Sequence, residues 1–260
     1  MGKTALITGA SNGIGYELAK IHAENGHNLI IVARRKNKLD ELKKELEGEH
    51  NISVFCLGKD LSLPGAVKEV YEELKQKSIV IDYLVNNAGF GDFGLFAESD
   101  WNKQERMINL NVIALAHLTW LVLPDMICRR GGKILNLAST ASFYPGPTMS
   151  VYFATKAFVL SFSEALNEEV REYGISVTTL CPGSTHSGFQ AAAAREGSKI
   201  PDRNNIPTSR EVAEYGYRAM MKGKAVAIHG FKNAVLANSV RIAPRSLVAK
   251  ITRKVQAKKF

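Results

Sequence analysis

From its start the chain alternates short apolar runs, rich in β-branched residues, with longer stretches of helical period. Runs at 4–8, 28–33, 52–57, 81–86, 133–138, 175–181 and 225–228 are too short for stable helices and read as strands. Between them apolar residues recur three and four apart: Ile14, Leu18, Ile21; Leu39, Leu42, Leu46; Val67, Val70, Leu74; a long stretch near 99–129; another near 151–173; and Glu211 to Met221. Such a βα alternation constrains the fold severely. It predicts parallel strands joined by crossover helices in one open, doubly wound α/β sheet covered on both faces. No linker, repeat or low-complexity run divides the chain, so a single domain over residues 1–230 is expected, followed by a basic helical extension over 231–260.

With 260 residues, 45% hydrophobic and 23% charged, the chain can bury a continuous core, which excludes a disordered or fibrous protein. Cys56, Cys128 and Cys181 are widely spaced and odd in number, so they read as reduced thiols, with neither a disulfide framework nor a metal site expected. Lys3 leads directly into the first strand without the pattern of a secretory leader, and the longest apolar stretch, Val112 to Leu123, is too short for a bilayer span. A cytoplasmic location is expected. The net charge of +9 is concentrated: after Glu214 there is no acidic residue but eleven Lys and Arg, which leaves residues 1–214 at −2.

Thr8-Gly9-Ala10-Ser11-Asn12-Gly13-Ile14-Gly15 follows the first strand and opens the first helix. Glycines in that place permit a tight turn, close approach of backbone to a pyrophosphate and close packing of the helix, whose N-terminus attracts anions. The loop therefore predicts a bound dinucleotide. At the end of the second strand, where an acid would hold a ribose 2′-hydroxyl, the chain reads Val32-Ala33-Arg34-Arg35-Lys36, with no acid before Asp40. Guanidinium groups there suit a 2′-phosphate, so NADP(H) is expected in preference to NAD(H). Segment 184–208 is rich in Gly and Pro, follows a strand end, and is expected to be a lid over the site.

Tyr-Xaa-Xaa-Xaa-Lys occurs three times, as Tyr16/Lys20, Tyr71/Lys75 and Tyr152/Lys156. Each places both side chains on one helix face, so only position discriminates. Tyr152 lies thirteen residues after Ser139, which ends the apolar strand Lys133 to Ala138 at the carboxyl edge of the sheet. Reduction of a ketone builds negative charge on its oxygen, which needs hydrogen-bond donors and a proton. Ser139 and Tyr152 offer both, while Lys156 favours the phenolate and suits ribose hydroxyls. Asn111 interrupts an apolar run, where it satisfies a helix distortion.

The loop Thr8 to Gly15, Asn86-Asn87-Ala88-Gly89, Asn111, Ser139, Tyr152/Lys156 and Pro182-Gly183, in this order and spacing, resemble the classical short-chain dehydrogenase/reductase family over residues 3 to about 230. The resemblance implies a Rossmann-type sheet of order 3-2-1-4-5-6-7, a nicotinamide cofactor, and association as a homodimer or larger oligomer through the fourth and fifth helices. It implies that Gly9, Ser11, Asn12, Gly13, Ile14 and Gly15 cradle the cofactor, with Arg34 and Arg35 at the ribose. By the same resemblance Asp60 and Leu61 meet the adenine, and Asn87, Ala88 and Gly89 the ribose region. Tyr152 and Lys156 also touch the cofactor, and Pro182 and Gly183 meet the nicotinamide. Asn111, Ser139, Tyr152 and Lys156 are implied as the catalytic set, Asn111 through a water in a proton relay. The Thr of the family's pattern after Pro-Gly is replaced here: Ser187 stands at its spacing and Thr185 two residues earlier, and either hydroxyl is a candidate for the cofactor contact.

Phe90, Phe93, Phe96, Phe143, Tyr144 and Phe189 flank the expected substrate entry and predict a hydrophobic ketone, aldehyde or secondary alcohol, such as an acyl, steroid-like or terpenoid carbonyl. In the tail, Leu247, Val248, Ile251 and Val255 fall on one face of a helix opened by Pro244 and surrounded by cations. That helix either packs on its own domain or lies on an anionic membrane surface; without an aromatic platform it does not suggest nucleic acid. A non-catalytic nicotinamide-binding sensor is the alternative function, against which the complete set of proton-donating residues argues.

Overall fold

The computed structural model describes residues 2–187, 206–240 and 242–257. Seven parallel strands, β1 (Thr4–Thr8), β2 (Asn28–Ala33), β3 (Val54–Gly58), β4 (Tyr83–Asn86), β5 (Gly132–Leu137), β6 (Ile175–Cys181) and β7 (Val226–Ile228), form one sheet of order β3-β2-β1-β4-β5-β6-β7. Helices α1 (Gly13–Glu24), α2 (Lys36–Glu49), α3 (Ala66–Gln76), α4 (Trp101–Ile108), α5 (Leu115–Cys128), α6 (Ser150–Val170) and α7 (Ser209–Met221) connect them. The extension forms α8 (Phe231–Ser239) and α9 (Arg245–Ala257). This is the Rossmann-type architecture and strand order expected from the sequence.

Successive strand residues point to opposite faces, and each face carries its own core. Ala5, Ile7, Leu29 and Ile31 pack against Leu18 of α1, Leu42 of α2 and Val212 of α7. Leu6, Ile30 and Leu84 pack against Val70 of α3, Leu118 of α5 and Leu166 of α6. Strand β1 pairs with both β2 and β4, and the chain direction across the sheet reverses between them. Loops leaving the carboxyl ends of β1 and β4 therefore diverge and open a crevice, the place where such sheets hold ligands.

Two elements differ from the sequence expectation. The long stretch near 99–129 is one continuous helix, but it contains a π-helical segment, Asn109–Ala114, between α4 and α5. Trp101–Cys128 is also long and apolar enough to cross a bilayer by length and composition, beyond the shorter run counted in the sequence. Here its inner face, with Met107, Leu118 and Val122, is buried against the domain while Ile113 and Trp120 stand exposed. The expected lid falls mostly outside the described residues, Phe189 included; only its ends, His186 bridged to Thr208, are described. At Thr208 a capping box with Glu211 starts α7.

Candidate active site

A cavity of about 1050 Å³ opens at the carboxyl edge of the sheet. One half is built by the glycine loop. Gly9 has φ +71°, and a side chain on it would stand 2.7 Å from Asn87 Nδ2. Gly15 is packed still more closely: a Cβ there would meet Asn87 Nδ2 at 2.3 Å and the Gly9 carbonyl at 2.5 Å. Asn87 in turn donates from Nδ2 to the Thr8 carbonyl at 3.0 Å, so the loop after β4 clamps the loop after β1. The result points the N-terminus of α1 at the cavity across Ser11, Asn12, Gly13 and Ile14.

Arg34 and Arg35 line the same half. The Arg35 guanidinium donates to Ser11 Oγ at 3.2 Å, which holds it over the glycine loop. Asp60 and Leu61 form the adjoining wall. Partial burial pushes the Asp60 carboxyl up, but bonds from Ser62 and the guanidiniums of Arg34 and Arg106 bring it below its ordinary value. Thr185 and Ser187 both reach the wall. Thr185 Oγ1 donates to the Gly183 carbonyl at 3.0 Å, whereas Ser187 Cβ lies 3.3 Å from where a side chain on Gly13 would start. Ser187 thus stands at the glycine loop and Thr185 beside Pro182 and Gly183.

The other half contains Ser139, Tyr152 and Lys156. Ser139 caps the short turn after β5, accepting from the Ala141 amide at 3.1 Å, and its hydroxyl hydrogen-bonds the Tyr152 phenol. Tyr152 and Lys156 lie one turn apart on the buried face of α6, with Lys156 Nζ 5.9 Å from the phenol ring centre. Burial pushes the Tyr152 phenol up to about 12, with the Ser139 hydroxyl acting in the opposite sense. Burial also lowers the Lys156 ammonium to about 8. Cys181 nearby is itself raised to about 12 by burial and stays a neutral thiol, so it relieves little of that shift.

Lys156 Nζ donates to the Leu137 carbonyl at 2.7 Å, which anchors it at the strand end. Ala88 and Gly89 line the cavity beside it, and Gly89 lets Asn111 and Lys156 approach: a side chain there would sit 2.9 Å from Asn111 Oδ1 and 3.5 Å from Lys156 Nζ. Asn111 is 1% exposed and forms none of the cavity wall. It accepts from the Phe90 amide at 3.1 Å and donates to the Phe90 carbonyl at 2.9 Å and to Thr155 Oγ1 at 3.1 Å. The π-helical widening of the backbone turns it toward these partners. Gly15 likewise lies behind the wall.

The other two Tyr/Lys pairs are accounted for elsewhere. Glu45 accepts from both the Tyr16 hydroxyl, at 2.9 Å, and Lys20 Nζ, at 2.5 Å, while the Tyr71 hydroxyl bonds Asp125 at 3.2 Å. Neither pair reaches the cavity.

The apolar wall differs from the sequence expectation. Phe90, Phe93 and Tyr144 line it, but Phe96 is 58% exposed outside it and Phe143 packs in a separate cluster with Leu115 and Val159. Met149 and Phe153 were not signalled by the sequence and take their place. The extension contributes more: Leu236, Val248, Ile251, Thr252, Val255 and Gln256 all line the cavity. Gln256 Oε1 accepts from the Thr148 hydroxyl at 3.0 Å, tying α9 to the turn that precedes α6. Thr148 has φ +70°, a left-handed conformation that is costly for a β-branched residue and is held here from both sides.

A family profile described as short chain dehydrogenase matches residues 3–197, most of the sheet and all of these side chains up to Ser187. The chain belongs to the short-chain dehydrogenase family. Within this family, a short-chain dehydrogenase from Sphingobium yanoikuyae in complex with NADPH is 33% identical, with TM-score 0.82 over 92% of this chain and 93% of that one. The bulky-bulky ketone specific alcohol dehydrogenase from Comamonas testosteroni is 31% identical, with TM-score 0.79 over 92% of each chain. The very-long-chain 3-oxoacyl-CoA reductase of Homo sapiens is 32% identical over 188 residues, 70% of this chain and 59% of that protein. The match thus spans less than two thirds of such longer relatives.

Proposed function

We propose that this short-chain dehydrogenase is an NADP(H)-dependent reductase of large apolar ketones. The observation that carries the reading is a hydrogen-bonded Ser139–Tyr152 pair in a cavity whose wall includes the apolar Phe90, Phe93, Met149, Phe153, Val248 and Ile251. The glycine cradle, the helix end and the two arginines at the end of β2, where no acid stands before Asp40, fit a dinucleotide carrying a 2′-phosphate. When bound, NADPH supplies the hydride.

The chain's own residues handle the oxygen. Ser139 and Tyr152 donate hydrogen bonds to the carbonyl oxygen as charge grows on it, and Tyr152 passes its proton there. A phenol near 12 is protonated at neutral pH, so the residue is ready as an acid for reduction. Lys156, held by the Leu137 carbonyl, stabilises the phenolate left behind, and Asn111 fixes Phe90 and the loop after β4 around it. Thr185 serves the nicotinamide end and Ser187 the phosphate end. The NADPH complex, the bulky-ketone specificity and the 3-oxoacyl substrate in the relatives' names support the cofactor and substrate class. The exposed Ile113 and Trp120, with Phe158 of α6, supply a surface for the expected homodimer.

The test is NADPH oxidation across a ketone series of increasing apolar bulk. kcat/KM should rise with the apolar area the ketone buries, each tenfold gain corresponding to about 1.4 kcal/mol. A preference for small charged oxo acids would overturn it.

A further inference from the structure

Exposed apolar side chains are unevenly distributed over this protein. Of fifteen large apolar residues exposed among the described residues, seven lie between 231 and 255, with Phe231 84% and Ile242 90% exposed. The same region carries no acid, and Lys232, Arg245, Lys250, Arg253 and Lys254 all stand in solvent. An apolar patch of this kind, set among cations of one sign, marks an interaction surface rather than an ordinary solvated face.

Helix α9 shows how the surface is built. Its buried seam is Val248, Thr252 and Gln256, one residue per turn, rather than the continuous apolar face suggested by the sequence. Leu247, Ile251 and Val255 form a second stripe beside that seam and remain about half exposed, at 48%, 52% and 54%. At 100° per residue Lys250 and Lys254 flank this stripe on its far side, where their stems can lie along apolar surroundings with the ammonium groups in the polar layer. Ile251 and Val255 also line the cavity, so the stripe forms the rim of the chamber mouth. Leu236 of α8, 48% exposed, does the same from the neighbouring helix.

We infer that α8 and α9 dock on an anionic lipid bilayer surface, with the chamber mouth turned toward the lipid. Charge complementarity selects this occupant. A second copy meeting the patch about a two-fold axis would set these cations against themselves with no acid after Glu214 to pair them. An anionic interface satisfies both features at once, the apolar stripe at the acyl boundary and the lysines among headgroups. A water-poor ketone can then reach the chamber from the membrane without crossing bulk water. The docking surface is independent of the ketone's identity and of turnover.

Co-sedimentation of the full chain with vesicles tests it, comparing phosphatidylcholine alone with vesicles in which one third is phosphatidylglycerol. Binding is expected with the anionic vesicles, is weakened by salt, and is close to absent with the neutral ones. Lys250→Gln with Lys254→Gln should lower partitioning by about 30-fold, since each cation near such a surface contributes about fivefold. Ile242→Ser with Leu247→Ser should lower it by at least about tenfold. None of these four residues lines the cavity, so NADPH-dependent turnover of a water-soluble ketone and the melting temperature should be unchanged. Failure of the intact chain to bind anionic vesicles, equal binding to neutral ones, or binding indifferent to both variants would overturn the inference. So would a homodimer that Ile242→Ser with Leu247→Ser dissociates while the intact chain ignores lipid.

Discussion

His22 gives the fold a specific weakness toward acid. It lies on α1 with no solvent exposure, between the rings of Tyr83 and Tyr217, and its Nδ1 is 3.0 Å from Nδ1 of His27. Its Nε2 has no hydrogen-bond partner among the described residues. Burial, and secondarily the charge of His27, hold its pKa at about 3 against an ordinary 6.5. The folded protein therefore keeps His22 neutral where the unfolded chain would protonate it. The resulting stability is intact above about pH 6.5 and is lost as pH falls toward 3, at about 1.4 kcal/mol per pH unit. Between about pH 7 and pH 5 the loss is about 2 kcal/mol. His22→Phe fills the same space without a titrating group. Its fixed packing cost cancels when each protein is compared with itself at two pH values. Denaturant unfolding of both proteins across this range should show the wild type losing about 2 kcal/mol more than the variant. Parallel pH dependences would refute a neutral, buried His22.

Other expectations concern the site. Arg34→Asp with Arg35→Ala should weaken NADPH binding far more than NADH binding, because charge-assisted bonds to the 2′-phosphate contribute about 1.5–3 kcal/mol each; fluorescence titration of both cofactors decides it, and equal losses would remove the assignment. Lys156 carries its charge below about pH 8 and loses it above, so kcat/KM for ketone reduction should be level at lower pH and fall through that value. In Lys156→Arg, which stays charged, the alkaline limb should move up; an unchanged limb would assign it to another group.

Much of this molecule is legible in its sequence because the signals are local. Seven short apolar runs became seven strands, and the glycine loop, with its three closely set glycines, sits where its position after β1 requires. Tyr152 could be separated from Tyr16 and Tyr71 because a strand ending in Ser139 precedes it closely. What escaped is the part made by distant segments. The Thr148–Gln256 bond joins residues 108 apart, and no periodicity in α9 says which of its stripes will be buried. Leu247, Ile251 and Val255 look like core by spacing, yet Thr252 and Gln256 take the inner positions because the surface they meet is polar as well as apolar at the chamber rim. Phe143 and Phe96 misled for a similar reason: sequence proximity to Ser139 and Gly89 does not determine the direction in which a loop side chain points. The π-helical turn around Asn111 is likewise set by its partners, Phe90 and Thr155, not by local propensity.

Whether Tyr152 protonates a ketone oxygen in a site shared with NADPH is read directly from single-turnover kinetics. Single-turnover oxidation of bound NADPH by a bulky apolar ketone should be fast in the wild type and slower by about 10²–10⁴-fold in Tyr152→Phe, with NADPH affinity retained. Tyr16→Phe and Tyr71→Phe, whose hydroxyls bond Glu45 and Asp125 away from the cavity, should leave the rate unchanged. Near wild-type turnover in Tyr152→Phe would contradict the account.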